Sequence, residues 1–117
     1  MSAQFGLSQR VIDSIRSVLA RHPSVRRAVV YGSRAKGNHK PGSDIDLSLC
    51  EEPGQSISPR EVARILDEID DLLLPYTLDL SVFEQLGNAE LRARIERVGQ
   101  VFYERMDAKG GGETLAS

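Results

Sequence analysis

The chain has 117 residues, 40% of them hydrophobic and 27% charged, with 15 basic against 17 acidic side chains and a net charge of −2. That length fits one domain with one modest core, short of a catalytic domain plus a full substrate domain, and the charge gives no global pull toward nucleic acid or membrane. The single cysteine, Cys50, excludes an internal disulfide and a cysteine-based zinc site, and it suits a reducing compartment.

The opening stretch, MSAQFGLSQR, has no basic segment leading into a long apolar run, and no later stretch is long and apolar enough to span a bilayer. A cytoplasmic protein is expected. Leu7, Val11, Ile12, Ile15, Val18 and Leu19 recur at spacings of three and four, the pattern of a one-faced helix with Ser8 as its N-cap and Pro23 beyond its end. His22 at that end would favour the helix dipole. Residues 25–31, VRRAVVY, read as a first strand, with Arg26 and Arg27 as a solvated strand end or as partners for acidic groups.

A loop rich in Gly, Ser and basic residues follows, and then DIDLSLC as a second strand. Ser58-Pro59-Arg60-Glu61 is a capping box with proline at the first helical position. It opens a helix whose apolar face is Val62, Ile65, Leu66, Ile69, Leu72 and Leu73, closed by Pro75. TLDLSVF, 77–83, alternates as a third strand with Leu78, Leu80 and Val82 on one face and Asp79 and Ser81 on the other.

Asn88 can cap a further helix to about Val98 with Leu91, Ile95 and Val98 inward, Gly99 marks its stop, and QVFYE forms a short last strand. Tyr31 and Tyr103 read as core or edge packing, Cys50 as a small buried side chain at a strand end, and Phe83, Leu86 and Phe102 as core or interface. The expected fold class is α+β, an α/β sandwich of helices packed on a small mixed sheet. Residues 1–107 form the domain and 108–117, ending KGGGETLAS, a disordered tail.

The second strand opens with two aspartates, Asp44 and Asp46, although Asp is depleted in strands. At a separation of roughly 6.6 Å along the strand their carboxylates share a face and can converge on a cation. Asp79 stands in the same kind of position on another strand, so adjacency of the two strands would gather three carboxylates. Unrelieved, each close pair costs on the order of 4 kcal/mol at 4 Å and an effective dielectric of 20. An oxygen-only donor set suits a hard ion such as Mg²⁺, which completes its shell with phosphates and water.

The preceding loop supplies what phosphates need. Gly32 allows close backbone approach, Ser33 donates from amide and hydroxyl, and SRAKG can open a short helix. Arg34 and Lys36 add positive charge, as solvated helix-surface charges or as phosphate contacts, and His39 and Lys40 are further candidates. An acidic patch next to a phosphate loop describes metal-assisted nucleotidyl or phosphoryl transfer, with two metal ions about 3.5–4 Å apart in such sites.

Gly32-Ser33, ten residues, Asp44-x-Asp46 and a later strand bearing Asp79 resemble the active-site signature of the polymerase-beta-type nucleotidyltransferase superfamily. GSRAKG and SDIDLSL are most similar to the minimal nucleotidyltransferases, or MNT proteins, small single-domain proteins that often act as antitoxins encoded beside HEPN-domain toxins. The resemblance runs over roughly residues 8–105, including LRARIERVGQVFYE.

It implies that Asp44 and Asp46 hold the metals. Asp79 would hold the catalytic one and help remove the acceptor proton, and Gly32 and Ser33 would bind the terminal phosphates. The implied activity is Mg²⁺-dependent transfer of AMP from ATP to a hydroxyl. At this length no acceptor pocket on a second domain is expected, so the acceptor should come from outside. The resemblance implies a tyrosine on a partner HEPN toxin, which modification would silence. Two alternatives are neutralisation by binding alone and transfer to a small molecule, of the antibiotic type, with help from a partner subunit. Direct nucleic-acid binding is not expected, since no basic stripe with interleaved aromatics appears.

Overall fold

The structure is a computed structural model that describes residues 5–37 and 44–105. His39, Lys40 and the expected tail from 108 onward lie outside the described residues. Three helices begin where their capping side chains sit. Ser8 accepts from Val11 N at 3.3 Å to start α1 (Gln9–Ala20), Ser58 from Glu61 N at 3.1 Å to start α3 (Pro59–Asp70), and Asn88 from Leu91 N at 3.0 Å to start α4 (Ala89–Val98). Each cap satisfies an amide that has no partner inside the helix.

The strands are β1 (Val25–Tyr31), β2 (Ile45–Glu51), β3 (Leu78–Val82) and β4 (Gln100–Glu104), and the four-residue helix α2 (Ser33–Lys36) fills the turn after β1. They form one sheet in the order β3-β2-β1-β4. β1 runs antiparallel to β2 and β4, while β2 and β3 are parallel. This is the expected α+β class with a mixed sheet.

Alternation along the strands sets one face apart from the other. Ala28, Val30, Ile45, Leu47, Leu49, Val82 and Phe102 join Ile12, Ile15, Leu19, Ile65 and Ile69 in a single buried cluster, so α1 and α3 cover one face. Each fully buried leucine or isoleucine there contributes about 1.5–3 kcal/mol. The opposite face is left for Tyr31, Asp46 and Asp79. α4 packs against that side, where a Cβ on Gly99 would collide with Val29 Cγ1. Gly99 therefore ends α4 by close packing in an ordinary extended conformation (φ −71°), not by a left-handed turn.

Several local expectations are corrected. Glu61 does not turn back to complete a capping box: its carboxylate accepts from Ser24 Oγ at 2.7 Å and lies 3.2 Å from His22 Nδ1. His22 does more than sit at a helix end. It is buried, with Nε2 also 3.0 Å from Glu68 Oε1, so one imidazole fastens the end of α1 to two turns of α3. Arg26 and Arg27 both meet acids, Glu52 at 3.7 Å and Glu104 at 3.0 Å. Leu73, expected inward, is 87% exposed. Phe102 is core, and Cys50 is half-buried, its thiol pushed up by burial first and by Glu84 second.

The hydrogen bond with His22 is the largest cause that holds the Glu68 carboxyl below the usual glutamate value of 4.5. A folded-state value below the unfolded one stabilises the fold above the ordinary glutamate range, and that contribution is lost as pH falls through the lowered value. Wild type should therefore melt higher than Glu68→Gln at neutral pH, with the gap closing on acidification below 4.5. Melting temperatures of the two proteins across that range check this, and a constant gap would contradict it.

Candidate active site

Cross-strand register builds the site. Tyr31 on β1 pairs with Asp46 on β2, and Asp46 pairs with Asp79 on β3, so the three side chains form one row across the uncovered face. Neighbouring strands lie about 4.7–4.9 Å apart, which puts the carboxylates of Asp46 and Asp79 side by side across the parallel ladder. The consequence is visible on Asp46: burial, then the charge of Asp79, then that of Asp44 push its carboxyl above the usual aspartate value. Asp44 is exposed and stands one residue before β2, close enough for its charge to count. Burial also raises the Tyr31 phenol; the Ser81 hydroxyl works against this, and Asp46 and Asp79 add to it. One row further along the same face, Ser48 is fully buried and its hydroxyl has no hydrogen-bond partner among the described residues. An orphaned hydroxyl costs about 1–3 kcal/mol, so packing alone would favour an apolar side chain there.

The turn after β1 brings the backbone against this row. Gly32 has φ +81° and ψ −153°, a conformation nearly reserved for glycine. A Cβ at Gly32 would stand 2.7 Å from Asp46 Oδ2. Sequence reasoning expects Gly32 to clear room for a phosphate, and the structure adds that it clears room for Asp46 itself. Ser33 opens α2 beside it, and Gly37 closes α2 in the left-handed region with its N–H on Ser33 O.

Long-range contacts hold the turn in place. Gln100 Nε2 donates to Ala35 O at 2.7 Å from β4, Arg34 Nη1 donates to Phe5 O at 2.7 Å, and the Arg34 guanidinium lies 5.0 Å from the Tyr76 ring centroid. Arg34 is thus a buried cation (3% exposed), where the sequence pointed to a solvated charge or a phosphate contact, while Lys36 is exposed. Gln100, Phe5 and Tyr76 escape sequence reasoning because each acts from a distant segment with no local signal.

Asp44, Asp46 and Asp79 offer only oxygen donors, the set a hard divalent ion takes. Burial first, and then the charges of Asp79 and Asp44, raise the Asp46 carboxyl, and a bound cation would relieve the like-charge part. Among the described residues no three His, Cys, Asp or Glu side chains already converge into a metal cage. Mg²⁺ ordinarily takes one or two carboxylates and fills its shell with water and phosphate oxygens.

The sequence matches the family described as polymerase beta, nucleotidyltransferase, over residues 13–108. The chain belongs to that family. No curated protein sequence matches it. Among solved structures, a chain of a toxin–antitoxin complex with AMP-PNP superposes with a TM-score of 0.66 at 16% identity, over 81% of this chain and 74% of that one. A chain from the complex of tri-AMPylated Shewanella oneidensis HEPN toxin with MNT antitoxin gives 0.62 at 14% identity, over 83% and 72%. A protein described as a minimal nucleotidyltransferase gives 0.61 at 26% identity, over 84% of this chain and 95% of its own. The mixed sheet is therefore a nucleotidyltransferase fold, and the Tyr31–Asp46–Asp79 row with its Gly32-Ser33 turn is the nucleotidyltransferase's candidate active site.

Proposed function

We propose that this nucleotidyltransferase moves AMP from ATP, with Mg²⁺, to a hydroxyl of a cognate HEPN toxin, a tyrosine being the acceptor class, and so acts as its antitoxin. The observation that carries the reading is the in-register pair Asp46–Asp79 beside the Gly32-Ser33 turn. Support also comes from the similar folds found in complexes with AMP-PNP and with an AMPylated HEPN toxin.

In this reading the acceptor oxygen attacks the α-phosphorus of ATP, the new P–O bond forms as the bond to the bridging oxygen breaks, and pyrophosphate leaves. Asp44, Asp46 and Asp79 would hold the metal, which when bound supplies charge stabilisation for the attacking and leaving oxygens. Asp79, exposed on the edge strand β3, would face the incoming acceptor and help remove its proton. The Ser33 amide and hydroxyl hold the departing phosphates, and Gly32 keeps the backbone close to them. Lys36 is exposed near that turn and adds positive charge, and Arg34 acts there from its buried position. The site belongs in the cytoplasm, where ATP is supplied. No helix among the described residues is long and apolar enough to cross a membrane.

A second reading is neutralisation by covering the toxin alone, supported by similar folds found in complexes of antitoxin with toxin. Co-expression separates the two. Cells carrying the toxin should survive with the wild-type chain and stop growing with Asp79→Ala. Full rescue by Asp79→Ala would favour binding alone.

A further inference from the structure

The end of α3 contains a residue that the fold does not explain. Leu73 sits in the left-handed region at φ +57°, at the chain reversal where glycine is the usual helix stop, and 87% of it is exposed. A leucine in that conformation costs roughly 1–2 kcal/mol, and its exposure recovers nothing through burial. A lone exposed leucine needs no explanation, but backbone strain of this kind clusters at binding and switch sites.

Beside it lies a groove of about 270 Å³ between α3 and β3, its apolar wall formed by Leu66, Leu74, Tyr76 and Leu78. The charged residues of its lining are Asp67 and Asp70, both acidic, and Asp71 follows them in the chain. The groove lies on the helix-covered face, at the same end of the sheet as the active-site row on the opposite face. Leu78 in its wall pairs with Ile45, and the next pair in register is Asp79 with Asp46. β3 is an edge strand, so a chain seated against it can continue round the strand end to Asp79. Tyr76 in the same wall is the ring on which Arg34, the neighbour of Ser33, rests.

We propose that this groove, with Leu73 at its rim, is where the acceptor protein docks, through a segment carrying an apolar anchor flanked by Lys or Arg. An apolar wall with an acidic rim complements that chemistry. The proposal rests on the reading that the acceptor is the cognate HEPN protein.

Calorimetric titration of the full chain with that HEPN protein, at low and at moderate salt, tests it. Leu73→Asn keeps a residue that tolerates the left-handed region, so its melting temperature should not fall, while its affinity should drop about tenfold or more. Asp67→Lys/Asp70→Lys should weaken binding similarly and flatten its salt dependence, with circular dichroism confirming the fold. Val101→Asn removes the other exposed large apolar side chain among the described residues, 52% exposed on the opposite edge strand, and should bind as wild type. Wild-type affinity in both groove variants, or a loss confined to Val101→Asn, would overturn the proposal alone. No binding by the wild-type chain would overturn it together with the HEPN reading.

Discussion

Replacing Asp46 or Asp79 with Asn should lower AMP transfer by about three orders of magnitude or more, without lowering the stability of the protein. Metal-held charge stabilisation is worth several kcal/mol in the transition state, and each 1.36 kcal/mol is a factor of about ten in rate. The stability side follows from the row itself. Asp46 faces Asp79 in register and feels Asp44, and its carboxyl is raised by burial and by both charges. Removing one of the like charges relieves that repulsion, so in buffer without divalent ions Asp46→Asn should melt at or above the wild-type temperature. Thermal scans alongside transfer rates check both halves. Reduced activity with a lower melting temperature would instead make Asp46 a structural residue.

Gly32→Ala should damage both properties at once. The backbone at φ +81° and ψ −153° is accessible essentially to glycine alone, and holding another residue there costs on the order of 1–3 kcal/mol. The added methyl would also meet Asp46 Oδ2 at 2.7 Å, so the carboxylate must shift. Misplacement of a reacting group by about 1 Å can cost on the order of a hundredfold in rate. The variant should melt lower and transfer AMP about a hundredfold more slowly, with its substrate concentration dependence less affected than its maximal rate. Wild-type kinetics in Gly32→Ala would mean that the close approach of turn and carboxylate plays no part in transfer.

These expectations trace back to features that a one-dimensional reading can reach. Period-two alternation in DIDLSLC and TLDLSVF puts the aspartates on one face and the leucines on the other, and burial of Ile45, Leu47 and Leu49 follows from it. Ser8, Ser58 and Asn88 each cap the helix their positions announce, because a cap depends on residues within one turn. That β2 and β3 are neighbours, on which the gathering of the acids depends, appears only in the sheet.

What escaped has a common cause. The His22–Glu61–Glu68 cluster, the Arg34 contacts with Phe5 and Tyr76, and the Gln100 bond to Ala35 join segments far apart in the chain. Each looks like an ordinary surface residue when only its neighbours are considered. Leu73 failed for a different reason. Helical spacing carries it onto the apolar face of α3, but the helix ends at Asp70 and the left-handed turn swings the side chain into solvent.

The most direct measurement is the intact mass of the cognate HEPN protein after incubation with this chain, ATP and Mg²⁺, beside an Asp46→Asn/Asp79→Asn control. A gain of one or more AMP units, absent in the control, is expected, with the modified site mapping to a tyrosine. An unchanged mass despite a stable complex would contradict transfer to that partner.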